Sequence, residues 1–255
     1  MPKTYYSLTS SDFSFIAVVT KSKNELHIHI GNPFQYKSAC VHLEVIGLDT
    51  LYIHNLAHDP SCSTNKTLPK GENGTVIMLK ASIEFACMLF PGVQKVRLQD
   101  NSGFYEAPFK HTVLPTRDYL LYGMTWYQRH LCLKPVDVED QKLVKKYDRI
   151  LNPNRYAQYS SHPLMQHDEV YQSSSSWNEY FSKNGSYTDH MVPLLRKVFK
   201  LPDLNGIVWE GELQRDRVAI AITFTTIPKP KDMRVFWGGF QKDAFASPYD
   251  SMGDY

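Results

Sequence analysis

The sequence predicts a mixed α/β (α+β) protein: a mostly antiparallel sheet containing one βαβ unit, with a helical insert and a C-terminal β-hairpin. Three observations carry this. Residues 12 to 57 hold four short β-rich runs separated by polar turns; residues 75 to 90 hold an apolar helix stopped at Pro91-Gly92; VQKVRL then resumes an extended pattern.

The first runs are DFSFIAVVT, ELHIHIG, SACVHLEVIG and TLYIHNLA, with KSKNE and GNPFQYKS as turns, and they read as a β-meander. ELHIHIG sets Leu26, Ile28 and Ile30 against His27 and His29, the period-two pattern of a strand with one wet face. Two histidines at i and i+2 need a third ligand to hold a metal, and the local sequence offers none, so His27 and His29 read as an outward face and no metal is expected. From Thr75 to Phe90 the apolar positions Val76, Leu79, Ile83, Ala86 and Phe90 recur at three and four, and Ile77, Met78 and Phe85 widen the stripe. TLYIHNLA, this helix and VQKVRL make the βαβ unit, its strands parallel and its crossover right-handed.

A second helix is expected over Arg117 to His130, with Gly123 as a weak point. Residues 137 to 205 read as a polar helical insert: DVEDQKLVKKYDRIL, a flexible tract at Ser173 to Ser176, and HMVPLLRKVFKL. Residues 206 to 255 bring IVWEGELQ and RVAIAITFT as a hairpin turning at QRD, then an extended arm packed on a core of residues 1 to 136.

Composition narrows the function classes. With 255 residues and 42% hydrophobic content the chain can bury a genuine core. Lys plus Arg (28) against Asp plus Glu (26) leaves +2, so no bulk field favours nucleic acid, membrane or an acidic substrate. No run approaches the roughly 18 apolar residues of a membrane span, and MPKTYYSLTSSDFSF lacks a basic-then-apolar leader, so a soluble, non-secreted protein is expected. Cys40, Cys62, Cys87 and Cys132 show no CxxC spacing and read as reduced thiols, which makes the sequons at Asn65, Asn73 and Asn184 coincidental. Lys142, Lys145, Lys146 and Arg149 cluster near Tyr147, Tyr156 and Tyr159, a combination suited to nucleic acid, but Glu139, Asp140 and Asp148 are interleaved and favour a solvated, ion-paired helix.

The order of these elements resembles the core of the GNAT N-acetyltransferase superfamily over roughly residues 24 to 136. KGENGTVIMLKASIEFACMLFPGVQKVRL is similar to that family's acyl-CoA loop, helix and following strand, and MTWYQRHLCLKP to its later tyrosine-bearing helix. LLYGMTWYQRHL after VRLQDNS also resembles a stretch in uncharacterised proteins of large nucleocytoplasmic DNA viruses. The resemblance implies an acetyl-CoA pyrophosphate at Gly71, Gly74 and Thr75, where a helix N-terminus favours an anion, with Tyr127 as acid and His54 as base. Glu72 and Pro69 depart from the loop pattern, since a carboxylate repels a pyrophosphate and proline lacks an N–H donor. The expectation is therefore a viral protein that kept the fold without acetyl transfer, a structural or interaction module in host cytoplasm, nucleus or virion with a viral or host protein as partner. An acetyl-CoA-dependent N-acetyltransferase is the alternative, and a nucleic-acid-binding protein using Lys145, Lys146 and Arg149 the third.

Overall fold

The computed structural model describes residues 2–21, 25–35, 39–47, 49–56, 60–66, 68–69, 72–107, 110–184 and 186–233. It is a mixed α/β fold with a large, mostly antiparallel sheet and helices. The chain divides into two compact units, Met1–Val96 with Leu213–Tyr255, and Arg97–Glu212. Both boundaries expected from composition, near 136 and 205, fall within the second unit.

In the first unit the meander forms as its period-two patterns require. β1 (Lys3–Thr9), β2 (Ser14–Lys21), β3 (Leu26–Gly31), β4 (Val41–Ile46) and β5 (Thr50–Leu56) pair antiparallel in chain order. β1 is a strand that the sequence reading does not assign. It forms in KTYYSLT because it is paired on both sides, to β2 and to the last strand described below.

α1 (Glu72–Leu89) follows, then the turn at Pro91-Gly92 and β6 (Lys95–Gln99). The backbone N–H groups of Gln94 and Lys95 both donate to the carbonyl of Asp49, so β5 and β6 start side by side at the two ends of the α1 crossover. One face of the meander is apolar and lies under α1. Phe15, Ala17, Ile28, Ile30, Leu43 and Ile53 are buried there with Met78, Leu79 and Ile83 of the helix. Tyr6, Phe85 and Phe224 close one end of this layer in edge-to-face contacts, with centroids 5.2–5.8 Å apart.

The expected C-terminal hairpin does not form. The residues after QRD start a short helix, α8 (Arg215–Val218), and the final strand, β11 (Thr223–Ile227), pairs with β1 instead. Contacts with a distant part of the chain accompany this change: Leu213 N–H donates to the Gln94 carbonyl and the Arg215 guanidinium to that of Val93. Ile227 at the end of β11 and Met233 beyond it pack with Tyr5 on Ile16 and Val18, on the sheet face opposite α1.

Cys40 and Cys62 form a disulfide, contrary to the expectation of four reduced thiols. Their sequence spacing carries no signal, because the loop after β5 has to fold back before the two sulfurs meet. Asn32 brings it there by donating to the carbonyls of Ser61 and Ser63 (3.1 Å each), and Asn65 accepts from Ser14 N–H at 2.7 Å. Cys87, inside α1, is a free and buried thiol, its pKa pushed up to about 11 chiefly by burial.

The second unit begins within β6, whose end is extended by reciprocal backbone bonds: Asp100 N–H to Ile207 and Gly206 N–H to Asp100. A hairpin of β7 (Gly103–Ala107) and β8 (Lys110–Val113) leads into α2 (Leu114–Tyr122) and α3 (Trp126–Leu131). The single helix expected over 117 to 130 is two. Gly123 takes the left-handed conformation (φ 73°) that ends α2, and Thr125 with Gln128 builds a capping box that starts α3. β9 (Lys134–Pro135) pairs with β10 (Val208–Glu212). Between them stand α4 (Val138–Leu151), capped by Asp137, then α5 (Glu169–Gln172), α6 (Trp177–Asn184) and α7 (Val192–Leu194), the last flanked by π-helical turns.

This region is more than a polar insert. Trp177, fully buried, has the rings of Phe199, Tyr156 and Tyr159 at 4.8, 4.9 and 5.3 Å. The serines expected to be flexible are engaged: Glu179 accepts from Ser175, and Ser176 Oγ accepts from Glu179 N–H in the first turn of α6. Cross-linking Cys40 to Cys62, 22 residues apart, restricts the unfolded chain, so replacing both by serine is expected to lower unfolding stability by about 3 kcal/mol. Urea denaturation of the double variant beside the oxidised wild type checks this.

Candidate metal centre

Because α1 covers the side of Ile28 and Ile30, strand alternation sends His27 and His29 to the other face of the sheet. Strand pairing then brings in residues distant in sequence. His29 stands opposite His42 and His27 opposite Glu44 in the β3–β4 ladder. In the β4–β5 ladder His42 pairs with Asn55 but Leu43 pairs with Ile53, so His54 is the extra residue of a β-bulge. A bulge re-aims its side chain, and His54 stacks on His42 at 4.6 Å.

The result is a row of four imidazoles across three strands. His29 stacks on His42 at 4.3 Å, and His27 Nδ1 lies 3.1 Å from His42 Nε2. One ligand atom from each of His27, His42 and His54 falls within 4.8 Å of the others; no other trio of histidine, cysteine or acidic residues among the described residues converges in this way. Two carboxylates flank the group. Glu25 Oε2 is 3.3 Å from His27 Nε2 and Glu44 Oε2 is 2.6 Å from His54 Nε2. Each is the carboxylate–histidine arrangement that fixes a ring's tautomer and turns its second nitrogen toward a metal.

The face expected to be wet is partly dry. His29 and His42 are each only 6% exposed. Burial lowers the pKa of His29 to about 4, helped by His27, Lys3 and His54, and that of His42 to about 2, helped by His29, His54 and His27. Neutral imidazoles are what a metal requires of its nitrogen ligands. A tetrahedral ion with bonds of about 2.0–2.1 Å needs ligand nitrogens roughly 3.3 Å apart; His27 Nδ1 and His42 Nε2 stand 3.1 Å apart, and the ligand atoms of all three rings lie within 4.8 Å of one another.

The other residues singled out from sequence keep different company. Tyr127 belongs to the second unit; Trp126 packs edge-on against it, and burial followed by the Asp100 carboxylate raises its phenol pKa well above the usual range. His54, expected as a base, holds Glu44 and joins the histidine row. Gly71 lies outside the described residues. Gly74 is buried in the first turn of α1, where a Cβ would stand 2.1 Å from the carbonyl oxygen of Pro69, and Thr75 is half-buried beside it. That close backbone approach accounts for glycine at 74 by packing alone.

On α4, Lys145, Lys146 and Arg149 are exposed, and Lys142 pairs with Glu139 at 2.6 Å. Tyr147 and Tyr156, the neighbouring rings, are buried, and Asp148 accepts from Tyr119 OH at 2.6 Å. The sequence reading missed His42 and with it the centre. The available signal was a histidine on each of three successive predicted strands, in ELHIHIG, SACVHLEVIG and TLYIHNLA.

Compared with known protein families, curated proteins and solved structures, the chain matches none.

Two outcomes follow. Asp100 is 2% exposed, and burial, reinforced by Asp118 and opposed by Ser102, pushes its pKa up to about 6. Its folded pKa thus exceeds its unfolded one, so this group's stabilising contribution is complete below about pH 4 and lost as pH rises to about 6. Asp100→Asn, which still accepts from Ser102, is expected to remove that loss, on the order of 2–3 kcal/mol, in denaturation curves run across this window. Gly74→Ala is expected to cost about 1–3 kcal/mol, read as a lower urea midpoint, because the Pro69 backbone must move.

Proposed function

We propose that this protein binds a divalent transition metal of the zinc class through His27, His42 and His54. The observation that carries the reading is the convergence of three ligand atoms from three adjacent strands within 4.8 Å. The all-imidazole set speaks for zinc, copper or nickel and against calcium or magnesium, which need oxygen ligands. The flanking Glu25 and Glu44 support it, since a ligating histidine characteristically gives its other N–H to a carboxylate. So does the burial that keeps His42 neutral near pH 7.

Isothermal titration of metal-stripped protein with zinc is expected to show saturable binding of one ion. His42→Ala should abolish it, and Glu25→Gln should weaken it roughly 10–100-fold by freeing the His27 ring. Zinc should raise the melting temperature of the wild type but not of His42→Ala. A His27/His42/His54→Ala variant, folded by circular dichroism, that takes up zinc as tightly as the wild type would sink the reading.

A further inference from the structure

Metal centres divide by their fourth position. Structural zinc sites close it with a protein ligand, whereas reactive ones leave it to water or substrate. Four features of this centre bear on the choice, and the inference rests on the metal-binding reading above.

The first is placement. All three imidazoles rise from one face of adjacent strands β3, β4 and β5, so the sheet lies behind the metal and the protein ligands approach from that side. Exposure is the second: His42 is buried at 6%, while the side chains of His27 and His54 are 23% and 29% exposed, so solvent reaches the outer two rings. Third, the two flanking carboxylates among the described residues are engaged elsewhere. Glu25 and Glu44 each hold the far nitrogen of a histidine, the position of a supporting group rather than of a fourth ligand. The fourth is charge. Three neutral imidazoles place no anion directly on the ion, and Glu25 and Glu44 act on it only through the far ring nitrogens, so a directly bound anion is still favoured and a bound water has its pKa lowered.

We propose that this centre is open: the ion keeps its outward position for a water molecule or one small monodentate anion. The ligand class is hydroxide, azide, thiocyanate or a carboxylate, exchanging directly at the metal.

Cobalt(II) tests this on the full chain, because its visible bands report coordination where zinc is silent. Metal-stripped protein is loaded with cobalt, uptake is measured by elemental analysis, and the spectrum is followed as azide is added. The expected result is one cobalt bound, with a saturable shift of the visible bands that reverses when azide is dialysed away. Cobalt bound with a spectrum indifferent to excess azide means a fourth protein ligand and overturns the open position while leaving metal binding standing. No cobalt uptake overturns the metal reading itself. An azide response in His27/His42/His54→Ala protein equal to that of the wild type places the metal elsewhere and overturns both.

Discussion

A β-strand sends successive side chains to opposite faces, and in the first unit α1 occupies one of those faces. Ile28, Ile30, Leu43 and Ile53 are committed to it by the gain from burying apolar surface beneath Met78, Leu79 and Ile83. A slip of one residue would turn all of them to the other side, so the register of β3, β4 and β5 is tightly held. His27, His29, His42 and Glu44, which occupy the alternate positions, are therefore aligned as a consequence of core packing. The bulge at His54 adds the one departure from strict alternation and brings a third strand into the row.

The row carries an electrostatic condition with it. Imidazoles stacked 4.3–4.6 Å apart under partial burial cannot all be protonated, because each charge would lose hydration and repel its neighbours. His29 and His42 are accordingly held neutral, while Glu25 and Glu44 at the exposed ends orient the outer rings. Desolvation, neighbour repulsion and oriented lone pairs all act toward a neutral, convergent nitrogen set. The Cys40–Cys62 bond fastens the start of β4, two residues before His42, to the loop that leaves β5.

The second unit is organised by aromatic packing instead. Trp177 gathers Tyr156, Tyr159 and Phe199, while the hydroxyls of Tyr147 and Tyr156 donate to the carbonyls of Pro202 and Tyr171. The tyrosines beside Lys145, Lys146 and Arg149 are thus turned inward, and these three cations stand on the outer face of α4 without those rings. Tyr127 is held against Trp126 at a helix start created by Thr125, its phenol kept protonated by burial.

Much of the fold was legible in the sequence because its signals are local. Period-two runs marked β2 to β5, the three-four spacing and Pro91-Gly92 bounded α1, and the charged run DVEDQKLVKKYDRIL marked α4. These depend on residues within a turn or two of one another. Tertiary structure alone decided that β11 leaves β10 for β1, that Cys40 meets Cys62, and that His42 and His54 stand beside His27. Each joins residues from separate strands or loops, and cross-strand register is set by how the apolar faces pack, which no short window of sequence contains. The sequence determined that ELHIHIG would present two histidines on one face; only the neighbouring strands turned that pair into a candidate centre.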